Sequence, residues 1–401
     1  MPAAPPPQVS RSRPLPQPSE RRPLRGRAAA ALAAAAPALG AYAAVRIVGL
    51  AVLWAAASAG GKDALHLLSE RWDSVWYQRV AENGYGYTVT LPGGGVHSDL
   101  AFFPLLPALE RGIAEVTPLG LAGAGLLVAW SAGLLAAGGI FAVGARLYGR
   151  RAGVVLATLW GVYPTAFVQS MAYTETLFTA LAAWSLYAVL TRRWIVAGVL
   201  CALAGLTRPS AAALIAALAI TAAVTLVREY RSGAGDGIVR RNGRMVLGVV
   251  VAPLGWLAYV VFVAAREGSP FAYFDVQAQW GNSIDGGAAL ASFILGLPLP
   301  GMLGLCAALA ALGWLVSLCV RQRQPLPVLV YGIAVVVISL IGAGYFGSRP
   351  RLMMPAFPLL LPPAVALLRL RSPARTATVL AVLAAASAAY GAWTLLGSGP
   401  P

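Results

Sequence analysis

Repeated apolar runs of membrane-spanning length restrict the folds open to this chain. Most are near 18 residues or longer, about the length that a helix needs to cross the hydrocarbon core of a bilayer. The runs cover residues 28–57, 121–147, 152–170, 175–191, 194–207, 210–227, 245–265, 300–320, 326–344, 353–369 and 374–396, and residues 286–300 could add another helix. Because backbone groups in lipid must be satisfied internally, the pattern predicts an all-α, polytopic transmembrane bundle of about 11–13 spans.

The composition argues against a soluble domain. Of the 401 residues, 59% are hydrophobic and 11% are charged, whereas a soluble domain of this length carries about a quarter charged residues. Residues 28–401 are therefore predicted to form one transmembrane domain. The run at 28–57 is too long for the apolar region of a signal peptide and predicts a first span. Residues 1–27, rich in proline and arginine, are predicted to form a disordered cytoplasmic tail.

The charges are distributed unequally between the two sides of the predicted bundle. With the N-terminus inside, the tail and the cytoplasmic loops hold 21 of the 30 Lys and Arg residues, as the positive-inside rule expects. The net charge of +16 therefore indicates a multi-pass protein of the cell membrane, in contact with membrane lipids, and not a nucleic acid partner. Eleven of the 14 acidic residues fall on or near the opposite side, so the chemistry is predicted to be extracytoplasmic.

A polar outer loop at residues 58–100 contains the first candidate site. Its segment RWDSVWYQRVAENGY, residues 71–85, places Asp73 among aromatic side chains typical of a membrane interface. These aromatics, candidate contacts for a sugar or an acceptor, are Trp72, Trp76 and Tyr77. The alternative is an interfacial amphipathic helix with a solvated carboxylate. The following segment, 101–117, predicts a re-entrant, juxtamembrane helix, with a tilted short span as the alternative.

A second acid and three arginines also fall on the predicted outer side. Glu175, in AYTETLF, lies at the mouth of two apolar runs, where a carboxylate is a candidate functional group by default. The alternative is a helix N-terminal glutamate favoured by the dipole. Arg208, Arg349 and Arg351 lie on the side where basic residues are rare. Guanidinium groups bind phosphate bidentately, so these arginines are candidates for binding a lipid-borne phosphate. Pairing with Glu175 or with lipid headgroups is the alternative.

Metal and thiol chemistry have weaker support. A divalent metal bound by His66, His97 and Asp99 is an alternative, but no cofactor is expected. The three cysteines lie in apolar runs without metal-ligand or disulfide spacing and indicate core residues; they are Cys201, Cys306 and Cys319.

Taken together and in order, the motifs resemble a known family. WDSVWY, AENGY, FFPLLP, AYTETLF, TRP and SRPR, spread from about residue 40 to residue 370, resemble the PIG-V-like mannosyltransferases of the GT-C class. The resemblance implies a GT-C-like fold and a polyprenyl-phosphate sugar donor, usually carrying mannose, used at the non-cytoplasmic face. It also implies an essential acid in the first outer loop, a position that Asp73 matches.

A mechanism follows from that resemblance as a hypothesis. Asp73 acts as general base on the acceptor hydroxyl, the sugar is transferred with inversion, and arginines stabilise the departing phosphate. Glu175, Asp99 and Glu82 remain competing second acids. The acceptor could be a glycan, a lipid or a protein. The rival function is a transporter or a lipid-linked sugar flippase; acids confined to one side favour an enzyme, and the aromatic-rich loop argues against a scaffold.

Overall fold

A computed structural model describes residues 24–91, 93–233, 237–370 and 372–399 of this chain. Of the described residues, 77% are helical and 2% lie in strands, which confirms the predicted all-α membrane bundle. Most of the predicted cytoplasmic tail, residues 1–23, lies outside the described residues.

The helices of the described ranges fall into an N-terminal and a C-terminal series. The first series is α1 (Leu24–Ala59), α2 (Ala64–Ser69), α3 (Asp73–Asn83), α4 (Leu105–Val116), α5 (Leu121–Tyr148), α6 (Arg150–Gly161), α7 (Glu175–Leu190), α8 (Trp194–Gly205) and α9 (Ala211–Arg231). The second is α10 (Ile238–Arg241), α11 (Gly243–Val251), α12 (Leu254–Glu267), α13 (Ala272–Gln279), α14 (Ala288–Leu295), α15 (Leu299–Arg321), α16 (Leu326–Ile341), α17 (Arg349–Met353), α18 (Leu361–Leu368) and α19 (Pro373–Leu396). Short 3-10 helices cover Asp99–Ala101, Ala166–Ser170, Phe346–Ser348 and Phe357–Leu360.

Six helices in the described part of the chain are long and apolar enough to cross a membrane: α1, α5, α9, the α11–α12 pair, α15 and α19. A broken pair, Phe346–Met353 and Phe357–Leu368, is bent by 74° and would be a seventh. Every predicted run contains helix, but α7, α8 and α16 are only 12–16 residues long. Prolines explain the two broken runs, because Pro164 ends the α6 segment and Pro355 divides the α17–α18 segment. The number of long spans is therefore smaller than the about 11–13 expected from run lengths.

The first outer loop is ordered by a small hairpin and a short helix. Strands β1 (Thr88–Thr90) and β2 (Val96–Ser98) pair antiparallel, with Val89 opposite His97. Helix α4 is amphipathic and packs on α3 and α5. Its exposed face carries the Arg111–Glu115 ion pair.

The connections of the bundle gather at two opposite ends. At one end, the Tyr148 hydroxyl donates to Gln322 and the Arg150 guanidinium donates to the Ala34 carbonyl, which joins arginine-rich loops. At the other end, the Leu105 N–H donates to the Leu206 carbonyl, and the Trp280 indole donates to the Ser98 carbonyl. The acidic residues that the sequence singles out lie at this second end, which is called the loop end below.

Candidate active site

Four charged side chains meet at the loop end of the bundle. They come from four separate elements: Asp73 from the start of α3, Glu175 from the start of α7, Arg208 from the turn before α9, and Arg351 from α17. Two carboxylates and two guanidiniums are thus held together although they are up to 278 positions apart in the sequence. This set is called the charged cluster below.

Asp73 is the most accessible acid of the charged cluster. Its Oδ2 lies 2.8 Å from Nη1 of Arg351, and its side chain is 31% exposed. Its backbone N–H donates to the Tyr173 hydroxyl at 3.2 Å, which fixes the first turn of α3. The carboxylate is therefore both anchored and reachable by a bound hydroxyl group.

Glu175 is more deeply buried than Asp73 and forms ion pairs with both arginines. Its Oε1 is 2.5 Å from Nη1 of Arg208 and 3.5 Å from Nε of Arg351, and its side chain is 2% exposed. Both guanidiniums are nearly buried, with 10% and 11% of their side chains exposed. Buried charges need partners of opposite sign, so Glu175 holds the arginines in place. The arrangement suits a positioning residue better than a second acid.

The two arginines of the SRPR segment have different surroundings. Arg351 points into the charged cluster and lies over the Tyr173 ring, 5.1 Å from its centroid. Arg349 instead donates to carbonyls at the end of α16, which are those of Ser339, Leu340 and Gly342 at 3.1, 2.8 and 2.7 Å. These carbonyls lack helical partners. Of the three arginines predicted to bind phosphate, the structure therefore brings Arg208 and Arg351 into the cluster and uses Arg349 to cap a helix.

The two other predicted second acids lie outside the charged cluster. Asp99 is fully buried, and its carboxylate accepts hydrogen bonds from the backbone N–H groups of Gly86 and Tyr87 at 3.0 and 2.8 Å. It therefore closes the base of the hairpin loop. Glu82 is exposed near the end of α3 and accepts a hydrogen bond from Asn83 at 3.3 Å. Only Glu175, of the three candidates, contacts the cluster.

The predicted aromatic contacts have three different environments. The Trp72 ring is covered by the Arg71 guanidinium, at 4.0 Å. The Trp76 ring lies among other aromatic rings, stacking on Phe102 with a centroid distance of 5.5 Å. Tyr77 is buried, and its hydroxyl lies 3.3 Å from Oγ1 of Thr174, so it supports the segment that leads into Glu175.

The structure does not form a metal site from the predicted histidines. His66 pairs with Glu70 at 3.3 Å, and His97 stacks on the Trp280 ring at 4.1 Å. Within the described ranges, no group of three or more His, Cys, Asp or Glu residues could hold a metal ion. The charged cluster also fits a divalent cation poorly, because each of its carboxylates already faces a guanidinium.

Two residues of this region escaped the sequence analysis. Tyr173 supports both Asp73 and Arg351, and its place two residues before Glu175 was the available signal. Glu110, on α4, is fully buried, and neither of its carboxylate oxygens has a hydrogen-bond partner. Burial raises the pKa of Glu110 to about 9. The helical spacing of Leu106, Glu110 and Ile113 could have placed this acid on the packed face of α4.

Comparison with known proteins shows the fold. No protein-family model and no curated protein sequence matches the chain. Crystal structures of ArnT from Cupriavidus metallidurans do match it: the complex with undecaprenyl phosphate at 18% identity and a TM-score of 0.52, and the apo state at 20% and 0.50. In both cases the match covers 86% of this chain and 63% of ArnT. The archaeal oligosaccharyltransferase AglB from Archaeoglobus fulgidus, in complex with an inhibitory peptide and a dolichol-phosphate, gives 13% identity and a lower TM-score of 0.47, over 90% of this chain and 56% of AglB.

ArnT is a GT-C glycosyltransferase, and at such low identity the likeness shows the fold alone. The chain is thus a multi-pass membrane protein with a GT-C fold, and it spans 63% of the length of ArnT.

Proposed function

We propose that this chain is a membrane glycosyltransferase that moves a sugar from a polyprenyl-phosphate donor to an acceptor hydroxyl. One observation carries the proposal: the charged cluster lies at one end of a bundle with the fold of ArnT, a protein solved with undecaprenyl phosphate bound. An accessible carboxylate beside two nearly buried arginines is the combination that a base-assisted transfer from a phosphate leaving group needs.

The arginines would bind the donor phosphate. Each guanidinium has five N–H donors, and the ion pairs with Glu175 and Asp73 occupy only part of them. A phosphodiester could therefore bind Arg208 and Arg351 together while Glu175 keeps both in place. In a site with little water, such charges stabilise a developing phosphate anion much more than they would in bulk solvent.

Asp73 would act as the general base. The acceptor oxygen attacks the anomeric carbon as its proton moves to the Asp73 carboxylate. The bond between that carbon and the phosphate oxygen breaks, and its electron pair stays on the polyprenyl phosphate. A single displacement of this kind inverts the anomeric centre, and no covalent sugar–enzyme intermediate is needed.

Charge balance supports this assignment. The charged cluster has two carboxylates and two guanidiniums, a formal net charge of zero. Protonation of Asp73 leaves the cluster at +1 at the moment when the phosphate gains a second negative charge. The proton transfer thereby favours the product anion that the reaction creates, which is electrostatic help of the kind that contributes most to catalysis.

Two finer assignments belong to the same proposal. The resemblance of the sequence motifs to PIG-V-like mannosyltransferases supports mannose as the sugar. The concentration of arginines in the loops opposite the charged cluster supports a cytoplasmic N-terminus and an extracytoplasmic site.

The decisive experiment supplies radiolabelled polyprenyl-phosphate mannose to membranes with and without the protein and follows the label. Asp73→Asn should lower transfer by about 10²–10⁴-fold, the usual contribution of a general base. Glu82→Gln, which neutralises an exposed acid on the same helix, is the matched control and should leave transfer unchanged. Transfer within a few-fold of wild type in Asp73→Asn overturns the role of Asp73.

Three further measurements test the identity of the sugar, the rival function and the orientation. Polyprenyl-phosphate glucose should be a poor donor, and equal use of both sugars removes the mannose assignment. Intact labelled donor that crosses the membrane without sugar transfer would support the flippase alternative.

Cysteine labelling tests the orientation. A cysteine that replaces Glu82, in a Cys306→Ala background, should react with an impermeant reagent added outside intact cells, whereas a cysteine that replaces Arg192 should not. The reverse pattern overturns the proposed orientation.

A further inference from the structure

The residue before Asp73 has a backbone conformation that side-chain-bearing residues rarely adopt. Trp72 has φ of 53° and ψ of −121°, a region populated mainly by glycine. Such strain persists only where the surrounding structure determines it, and it concentrates at functional sites. Contacts from other parts of the structure must therefore stabilise the backbone conformation of the turn that precedes Asp73.

Arg71 contacts a distant helix and thereby stabilises this turn. Its Nη1 and Nη2 donate to the carbonyls of Leu395 and Gly397, at 2.7 and 2.9 Å. These carbonyls belong to the C-terminal end of α19, where helical partners are lacking and a positive charge is favoured. The same guanidinium covers the Trp72 ring at 4.0 Å. One side chain thus connects the end of the last helix to the strained residue.

The other hydrogen bonds around this turn come from Ser74 within it and from Tyr173 on a distant segment. The Arg71 carbonyl accepts hydrogen bonds from the Ser74 hydroxyl and the Ser74 N–H, at 2.6 and 3.3 Å. The Asp73 N–H donates to Tyr173. Together these contacts fix the direction in which the Asp73 carboxylate leaves α3, toward Arg351.

We infer that Arg71 is a positioning residue: by bridging the end of α19 to the Trp72 ring, it holds the strained turn that aims Asp73 into the charged cluster. The catalytic consequence of this inference rests on the proposed function, because the direction of the Asp73 carboxylate affects the rate of transfer only if Asp73 is the general base. The structural part, that Arg71 holds the turn, stands apart from any activity.

Lys62 offers a matched control. Its ammonium group donates to the Leu396 carbonyl at 2.7 Å, so it anchors the same helix end without touching Trp72. Arg71→Ala should lower kcat about 10²-fold, the cost of a misplaced catalytic group, with KM for the donor within about twofold. Lys62→Ala should leave kcat within about threefold of wild type. Equal losses in the two variants would mean that Arg71 only anchors α19, and this overturns the inference.

A double-mutant cycle tests the link to the strained residue. Glycine adopts the conformation of Trp72 freely, so in a Trp72→Gly background the Arg71→Ala change should cost no more than about threefold in kcat. The same loss in both backgrounds overturns the inference.

Hydrogen exchange gives a readout that needs no activity and decides the case if the Trp72→Gly variant is inactive. The amides of Asp73, Ser74 and Val75 should exchange at least tenfold faster in Arg71→Ala than in wild type or in Lys62→Ala. Replacing Trp72 by glycine should remove most of that acceleration. If the exchange rates of these amides are unchanged in Arg71→Ala, Arg71 does not stabilise the turn and the inference is overturned. Absence of any sugar transfer by the wild type, with the exchange pattern as expected, would overturn only the proposed function.

Discussion

Glu175 and Glu110 are both fully buried near the loop end of the bundle, yet their surroundings are opposite. Glu175 faces two guanidiniums, whereas no partner of either Glu110 oxygen is found. The Glu110 carboxyl packs so closely on Gly125 that a Cβ there would lie 2.6 Å from its Oε1. The comparison teaches that burial alone does not fix the charge of a carboxyl group: two guanidiniums stabilise the ionised form of Glu175, whereas burial without a cation raises the pKa of Glu110 to about 9.

The largest effect is expected at Glu175. Glu175→Ala leaves two nearly buried arginines without their shared carboxylate, and breaking a buried pair in this way costs about 3–5 kcal/mol. Thermal unfolding in detergent should show this loss, and transfer should fall below detection. Glu115→Ala, which breaks an exposed ion pair with Arg111, is the control and should change stability by no more than about 1 kcal/mol. Similar effects of the two changes would contradict the positioning role of Glu175.

The next effect separates the two arginines of the SRPR segment. Arg351→Gln removes a donor from the charged cluster and should lower transfer by about 10²-fold or more, with weaker binding of undecaprenyl phosphate. Arg349→Gln removes hydrogen bonds to three carbonyls. It should lower the unfolding temperature while the folded protein keeps its affinity for undecaprenyl phosphate. Loss of that affinity in Arg349→Gln would place Arg349 among the phosphate-binding residues.

The effect expected at Glu110 depends on pH. Folding raises the pKa of Glu110 from 4.5 to about 9, so between these values the folded protein holds one more proton than the unfolded chain. Stability therefore falls as the pH rises through this window, by up to about 1.4 kcal/mol per pH unit. Unfolding temperatures at pH 5, 6.5 and 8 should show this fall in wild type and a flatter profile in Glu110→Gln. If the pH profiles of wild type and Glu110→Gln are parallel, the Glu110 carboxyl group has a hydrogen-bond partner in the folded protein.

The smallest effect is expected at Asp99, which is intermediate between the two glutamates because backbone N–H groups are its partners. Asp99→Asn keeps one carbonyl oxygen as an acceptor for the Gly86 and Tyr87 N–H groups, but it loses the charge and the second acceptor oxygen. Stability should fall by about 1 kcal/mol, and transfer should hardly change. A loss of transfer as large as that of Asp73→Asn would return Asp99 to the list of candidate acids.

The membrane fold and the residues of the charged cluster could be predicted from the sequence for identifiable reasons. Run length and charge asymmetry do not depend on tertiary structure, so the bundle and its polar end could be predicted. Asp73, Glu175, Arg208 and Arg351 stood out because charges within apolar surroundings are rare. Their contact with one another could not be predicted, because it depends on how four elements far apart in the sequence pack.

The failures have equally specific causes. Run length could not distinguish a full span from the short helices α7, α8 and α16, because both are apolar throughout. Arg349 and Arg351 share one motif, and only the direction of each side chain on α17 separates a helix cap from a cluster residue. Helical spacing separates Glu110 from Glu115, but the sequence does not show that Gly125 provides room for the Glu110 carboxyl group.

The bend between α17 and α18 has a consequence for how the protein is made. Carbonyls left free at this break are satisfied by distant side chains, with the Trp160 indole donating to the Met354 carbonyl and the Tyr331 hydroxyl to that of Pro355. Lipid offers no such donors. We therefore expect this segment to settle in its final position only after α6 and α16 are in place. We expect the guanidinium of Arg351 to be among the last groups delivered to the site, so that a ribosome-bound chain ending before this segment carries Asp73 but no assembled charged cluster.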